Sequence, residues 1–348
     1  VVRRDVVFVT GTDEAAPFAG AVSDKNVLTH AFDAEDGSLL WTRIYDGPSG
    51  SFEWGRMVET SPDGSRVFVG GIVTEGYWKY GVIAYDAATG DEVWTARHVF
   101  PDSGRDGLLE DWPTAMAISP DGSTVGLTGR TIGSGGERHG TVLFDAADGS
   151  TRWSRVYEGD GGPSEVPERI DIPPTFPVAS VRLKGRAQQG NGLAFDPSGE
   201  RVYVTGGGRV FPGGPVSTTI AYAAGSGEEL WVARYGGLPG SIGASNAIAV
   251  SPSGDRIYVT GRTSQAGGRF IGSQHDLPSS IDDVATVAYD RDGNEVWAAR
   301  FDGANHLDMG EAISAHAGGV VVAGRSLVAE IPLLPFANAS LLVLSYDA

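Results

Sequence analysis

The carboxylates between positions 102 and 111 are the densest candidate chemistry in the sequence. Asp102-Ser103-Gly104-Arg105-Asp106-Gly107, followed by Glu110 and Asp111, partly resembles a Ca²⁺ loop, in which oxygen side chains at alternate positions wrap a hard cation. The third position carries no oxygen side chain, and Pro113 stands where a closing Glu is wanted, so the segment reads as a solvated acidic loop. His30, His98, His139, His275, His306 and His316 are scattered without a His-Glu-x-x-His pairing, which argues against a zinc hydrolase. There is no Gly-x-Ser-x-Gly elbow to activate a serine. With no cysteine, the chain has no disulfide, thiolate metal site or thiol nucleophile. Gly206-Gly207-Gly208 falls between two strand-like runs, not at a strand-to-helix turn, so a phosphate cradle is not supported. Asn338-Ala339-Ser340 is a single glycosylation sequon that carries little weight alone.

Composition narrows the remaining classes. The 348 residues include 44 acidic and 26 basic side chains, a formal net charge of −18. Such a surface repels nucleic-acid phosphates and attracts cations, Ca²⁺ included. A hydrophobic content of 41% supports a packed core, and 51 glycines and 19 prolines without a triplet period are not collagen-like. The longest apolar stretch, around Leu341 to Leu344, is far short of the roughly 18 residues a membrane helix needs.

What positions any site is an internal repeat. Its unit is an apolar strand, a Ser-Pro-Asp-Gly turn, a strand ending Thr-Gly, a variable loop, a strand ending Tyr-Asp, a short Gly turn, and a strand carrying Trp. The turn recurs as Ser61-Pro62-Asp63-Gly64, Ser119-Pro120-Asp121-Gly122, Asp196-Pro197-Ser198-Gly199 and Ser251-Pro252-Ser253-Gly254. Runs of Val, Ile, Leu, Thr and Tyr bounded by Gly, Pro and Asp have strand chemistry and no helical period. The expectation is an all-β, single-domain β-propeller of about six blades, each of four antiparallel strands, with little helix. The blades fall near 1–47, 51–100, 111–159, 188–237, 243–303 and 306–348, with an insertion at 158–191. Both terminal blades are incomplete: the first copy lacks its innermost strand and the sixth its outermost. An uncovered Val6 to Thr10 predicts further polypeptide before Val1 or after Ala348.

The repeat carries a resemblance. Ala84-Tyr85-Asp86-Ala87-Ala88-Thr89-Gly90-Asp91-Glu92-Val93-Trp94 matches the tryptophan-docking pattern Ala-x-Asp-x-x-x-Gly-x-x-x-Trp, and Ala31 to Trp41 matches it too. Leu143 to Trp153, Ala221 to Trp231 and Ala288 to Trp297 follow with small departures. The chain therefore resembles the quinoprotein (PQQ-like) β-propeller repeats and those of large secreted bacterial propellers. The resemblance implies that Trp41, Trp94, Trp153, Trp231 and Trp297 stack between blades, that the repeated Asp braces its turn, and that the protein is secreted or at a bacterial cell surface. It implies no activity. A PQQ dehydrogenase of this class would carry eight blades and an adjacent cysteine pair, neither of which is found here, so PQQ is disfavoured.

Function is expected on the face bearing the variable loops, because the opposite turns are short and satisfy their own backbone. Counting back from the turns places Arg56, Thr114, Asn191, Asn246 and Met309 at one position near the channel mouth. Glu53, Asp111, Gln188, Gly243 and His306 then lie three residues earlier, with Asp308 close to His306. Glu59 and Glu311 stand where other copies have apolar or small residues, so each must be solvated, paired or metal-bound. Two readings result. One is a non-catalytic secreted or cell-surface propeller that binds a protein, glycan or small molecule on the variable-loop face. The alternative, by analogy with six-bladed lactonases and esterases, is a Ca²⁺-dependent hydrolase with Asn191, Asn246 and Glu311 as axial ligands.

Overall fold

The computed structural model describes residues 2–3, 5–14, 25–48, 52–74, 78–101, 111–133, 136–159, 189–210, 214–236, 243–264, 282–303, 307–328 and 338–347. Most of the 158–191 insertion, Gln188 and His306 lie outside these, as do residues 102–110 of the acidic loop. Among the described residues the chain is entirely strand and turn, arranged as six antiparallel sheets in chain order.

The first sheet comprises β1 (Val2–Arg3), β2 (Val6–Glu14), β3 (Lys25–Asp33) and β4 (Leu39–Tyr45). The second has β5 (Trp54–Thr60), β6 (Arg66–Thr74), β7 (Trp78–Asp86) and β8 (Glu92–His98). β9 (Trp112–Ile118), β10 (Thr124–Gly133), β11 (Gly136–Asp145) and β12 (Thr151–Tyr157) form the third. The fourth is built from β13 (Gln189–Phe195), β14 (Arg201–Val210), β15 (Gly214–Ala223) and β16 (Glu229–Tyr235). In the fifth are β17 (Gly243–Val250), β18 (Arg256–Ser264), β19 (Asp282–Asp290) and β20 (Glu295–Phe301). The sixth has only β21 (Leu307–His316), β22 (Gly319–Val328) and β23 (Asn338–Asp347). This is a β-propeller.

The first blade differs from expectation. Its innermost position is filled by β1, which among the described residues pairs Val2 with Val7 and Arg3 with Val6. In the sixth blade no outer strand covers β23 among the described residues, and Leu341 and Val343 are 82% and 60% exposed.

The fixed turns explain themselves locally. Gly64 takes φ 60°, which an L side chain adopts only with strain, and its N–H closes the turn on the Ser61 carbonyl at 2.8 Å. Asp63 Oδ1 accepts the Ser61 hydroxyl at 2.6 Å and the Ser65 N–H at 2.9 Å. On the outer hairpin Asp86 Oδ1 accepts the N–H groups of Ala88 and Thr89 at 3.0 and 2.9 Å. In the second to fifth sheets the second and third strands are the driest, with Val67, Tyr80, Val82, Val125, Val142, Val202 and Ile220 fully buried. Burying each such side chain contributes about 1.5–3 kcal/mol before entropy is counted.

Between blades the docking residues interlock. Trp41, Trp94, Trp153 and Trp231 donate their indole N–H to Ala87, Ala146, Ala224 and Arg291 carbonyls of the following blade, at 2.7 to 3.1 Å. Each ring covers that blade's positive-φ glycine, Gly90, Gly149, Gly227 or Gly293. Trp297 packs beside Tyr346 of the sixth blade, ring centroids 5.5 Å apart. The corresponding glycine of the first blade, Gly37, has nothing within 4 Å of where a Cβ would stand.

Candidate functional site on the variable-loop face

Each inner strand from the second blade onward carries one extra residue against its neighbour, and this bulge sets the true frame. The extra residues are Arg56, Thr114, Asn191, Asn246 and Glu311. Glu311, not Met309, is therefore the sixth blade's member, and Asp308, not His306, is the equivalent of Glu53 and Asp111. The shift has a plain cause: the sixth copy replaces the Ser-Pro-Asp-Gly turn by a hairpin in which His316 pairs with Gly319, so a count taken from the turn slips by two residues. Glu311 thus does not occupy the apolar strand position assigned to it.

Two bulge residues tie neighbouring blades together. Asn191 Nδ2 donates to the Ser245 carbonyl at 2.7 Å, and Asn246 Nδ2 to the Gly310 carbonyl at 2.9 Å. Thr114 Oγ1 bonds the Thr128 carbonyl at 3.2 Å within its own blade. Glu311 pairs with Arg325 Nε at 3.0 Å on the surface. Among the described residues no group of three or more acidic or histidine side chains is placed to hold a metal ion.

Three residues earlier in this frame lie the buried acids. Glu53, Asp111 and Asp308 are at most 1% exposed. Asp308 Oδ2 accepts the Gly303 N–H at 2.6 Å, and Asp111 Oδ1 accepts the Thr131 hydroxyl at 2.6 Å. Glu53 lies so close to Gly47 that a Cβ there would stand 2.3 Å from its carboxylate. At Gly47 and Gly303, these acids brace the chain arriving from the preceding blade. Glu59, half-buried on β5, has its carboxyl pushed above the ordinary value by loss of water.

Among the described residues, the variable-loop face carries a cluster built from tryptophans outside the docking pattern. Trp54, Trp78 and Trp112 open β5, β7 and β9, where the variable loops deliver the chain, and gather with Phe52 into one half-buried cluster. Phe52 stacks on Trp78 at 5.2 Å and 22°. Trp54 meets Trp112 edge-on at 5.2 Å, and Trp112 lies 5.4 Å from Trp78. The guanidinium of Arg56 sits 4.9 Å from the Trp54 ring centre and 5.0 Å from that of Trp112. Lys25 lies over Phe52 and Arg130 over Trp112, Arg130 also pairing with Glu137 at 2.9 Å. The one sequence signal for this cluster is a surplus: of 8 tryptophans, only five follow the docking pattern.

The opposite face is not featureless. The expectation that its turns are too short to form a cleft fails between the second and third blades, where an open cleft of about 420 Å³ is lined by Asp63, Asp121, Asp145 and Arg152 among others. Its polar groups are largely engaged: Asp121 accepts from Ser119 Oγ at 2.6 Å and Asp145 binds Arg152 at 2.8 Å.

Fold and repeat together define a PQQ-like β-propeller. The chain belongs to the family described as outer membrane protein assembly factor BamB, which matches residues 23–104 and 138–331. No curated protein sequence matches it. Among solved structures it is similar to the quinohemoprotein alcohol dehydrogenase ADHIIG from Pseudomonas putida HK5, at 13% identity over 87% of this chain and 62% of that one, TM-score 0.43. The Comamonas testosteroni quinohemoprotein alcohol dehydrogenase gives 14%, 93%, 67% and 0.42 for the same quantities, and Chaetomium thermophilum Sqt1 gives 13%, 86%, 62% and 0.49. The chain thus spans less than two thirds of the length of the first and third of these.

Proposed function

We propose that this propeller is a non-catalytic scaffold, secreted or at the cell surface, that binds a protein partner through its variable-loop face. The observation that carries the reading is the gathering of Phe52, Trp54, Trp78 and Trp112 around Arg56 on that face. Aromatic and arginine side chains are the usual anchors of binding energy at protein interfaces. None of the four aromatic residues is required by the repeat, and each leaves apolar surface partly in water. A family description that names an assembly factor accords with work done by contact.

The test is comparative capture. The wild-type chain, a Trp78→Ala/Trp112→Ala variant and an Asp63→Asn/Asp121→Asn variant of the opposite cleft are presented to the same extract. Loss of the captured protein with the first variant and its retention with the second supports the reading; the reverse pattern transfers function to the opposite face.

A further inference from the structure

The cluster on the variable-loop face contains one cation whose charge is unspent. Arg56 is exposed, and among the described residues no carboxylate reaches its guanidinium. Arg130 and Arg325, by contrast, are paired with Glu137 and Glu311. Loss of water lowers the Arg56 pKa from its ordinary value, and no neighbouring acid offsets that loss. The two indoles fix the guanidinium from two sides. An arginine held in this way loses little freedom when it makes a bidentate bond to a planar anion.

We infer that the Arg56 site, flanked by Trp54, Trp78 and Trp112, recognises an apolar polypeptide segment through a single carboxylate side chain. The inference rests on the proposed reading of this face and adds the chemistry of what binds there. Charge complementarity sets the anion. A net charge of −18 repels dense polyanions at long range, whereas one carboxylate among apolar neighbours meets the local guanidinium at little cost. The half-buried rings beside it set the rest, because aromatic side chains bury the apolar neighbours of such a carboxylate.

The experiment uses fluorescein-labelled apolar peptides that differ at one central residue, Glu, Gln or Lys, titrated by anisotropy into the whole chain. The Glu peptide is expected to bind at least tenfold more tightly than the Gln peptide, consistent with a charged hydrogen bond worth about 1.5–3 kcal/mol, and the Lys peptide more weakly than both. In Arg56→Gln the Glu and Gln peptides become equal. In Trp112→Ala all peptides weaken together, and Trp112→Phe restores part of the loss. Equal affinity of wild type for Glu and Gln peptides, or a preference that survives Arg56→Gln, overturns the inference. So does binding of oligogalacturonate with no binding of any peptide. Retained partner capture that depends on Trp78 and Trp112 separates failure of the carboxylate chemistry from failure of the face itself.

Discussion

The indole of Trp153 lies on Gly227 of the following blade, its Nε1–H donating to the Ala224 carbonyl at 2.7 Å, so that a Cβ at Gly227 would stand 2.6 Å from the ring. Gly37 holds the same place in the first blade with a similar positive φ, 74°, and no ring upon it. The two glycines separate backbone strain from lost packing.

Gly37→Ala is expected to lose only the left-handed penalty, roughly 1–2 kcal/mol. Gly227→Ala bears that penalty and displaces Trp153 as well, so its total should approach the roughly 3–5 kcal/mol expected for Trp153→Ala. Urea midpoints for the three variants check the order. Equal effects of the two glycine substitutions would show that the docking contact contributes little.

Acid destabilisation should begin with histidines. His139 is buried with Nε2 2.8 Å from the Gly207 carbonyl, and burial lowers its pKa to about 4. His98, set edge-on to Phe100, is lowered to about 4 by the same cause. Both are neutral when folded, while the unfolded chain takes up protons near the ordinary value of about 6.5. Stability is therefore complete above that pH and declines as pH falls toward the folded value, by up to roughly 3 kcal/mol for the fully buried His139. Unfolding midpoints between pH 7 and 4 should show the decline, and His139→Gln should flatten it.

The Arg300–Asp283 pair of the fifth blade gives an asymmetric outcome. Asp283 is 2% exposed, its Oδ1 is without a hydrogen-bond partner, and burial pushes its pKa upward against the lowering pull of Arg300. Removing Arg300 strands a buried carboxylate and should cost about 3–5 kcal/mol. Replacing both, as Arg300→Met/Asp283→Leu, should cost less than Arg300→Met alone. A double variant worse than the single one would contradict this.

Much of the scaffold is readable from the sequence because its determinants are local. A Gly four residues past an Asp, a Trp four residues further on and alternating Val, Ile and Thr dictate a hairpin wherever they occur. The frame slips at Glu311 because one shortened turn moves the count by two residues, and only the pairing of Gly310 with Gly324 reveals it. The Trp54, Trp78 and Trp112 cluster shows in the sequence only as surplus tryptophans, for a different reason. Its members lie outside the docking pattern and far apart in sequence, and Trp112 meets Trp54 and Trp78 only when the second and third blades pack together.

Calcium offers a check on the alternative axial site. With Asn191 and Asn246 engaged between blades and Glu311 held by Arg325, millimolar Ca²⁺ should leave the melting temperature unchanged. A rise that vanishes in Glu311→Ala would instead favour a cation site at these bulges.

The most direct test of binding on the variable-loop face is ¹⁹F NMR of the chain labelled with 5-fluorotryptophan, recorded with and without its captured partner. Trp54, Trp78 and Trp112 are expected to shift or broaden, while Trp41, Trp94, Trp153 and Trp231, held between blades, stay in place. An unchanged Trp54, Trp78 and Trp112 in a spectrum where the partner is demonstrably bound would contradict the account.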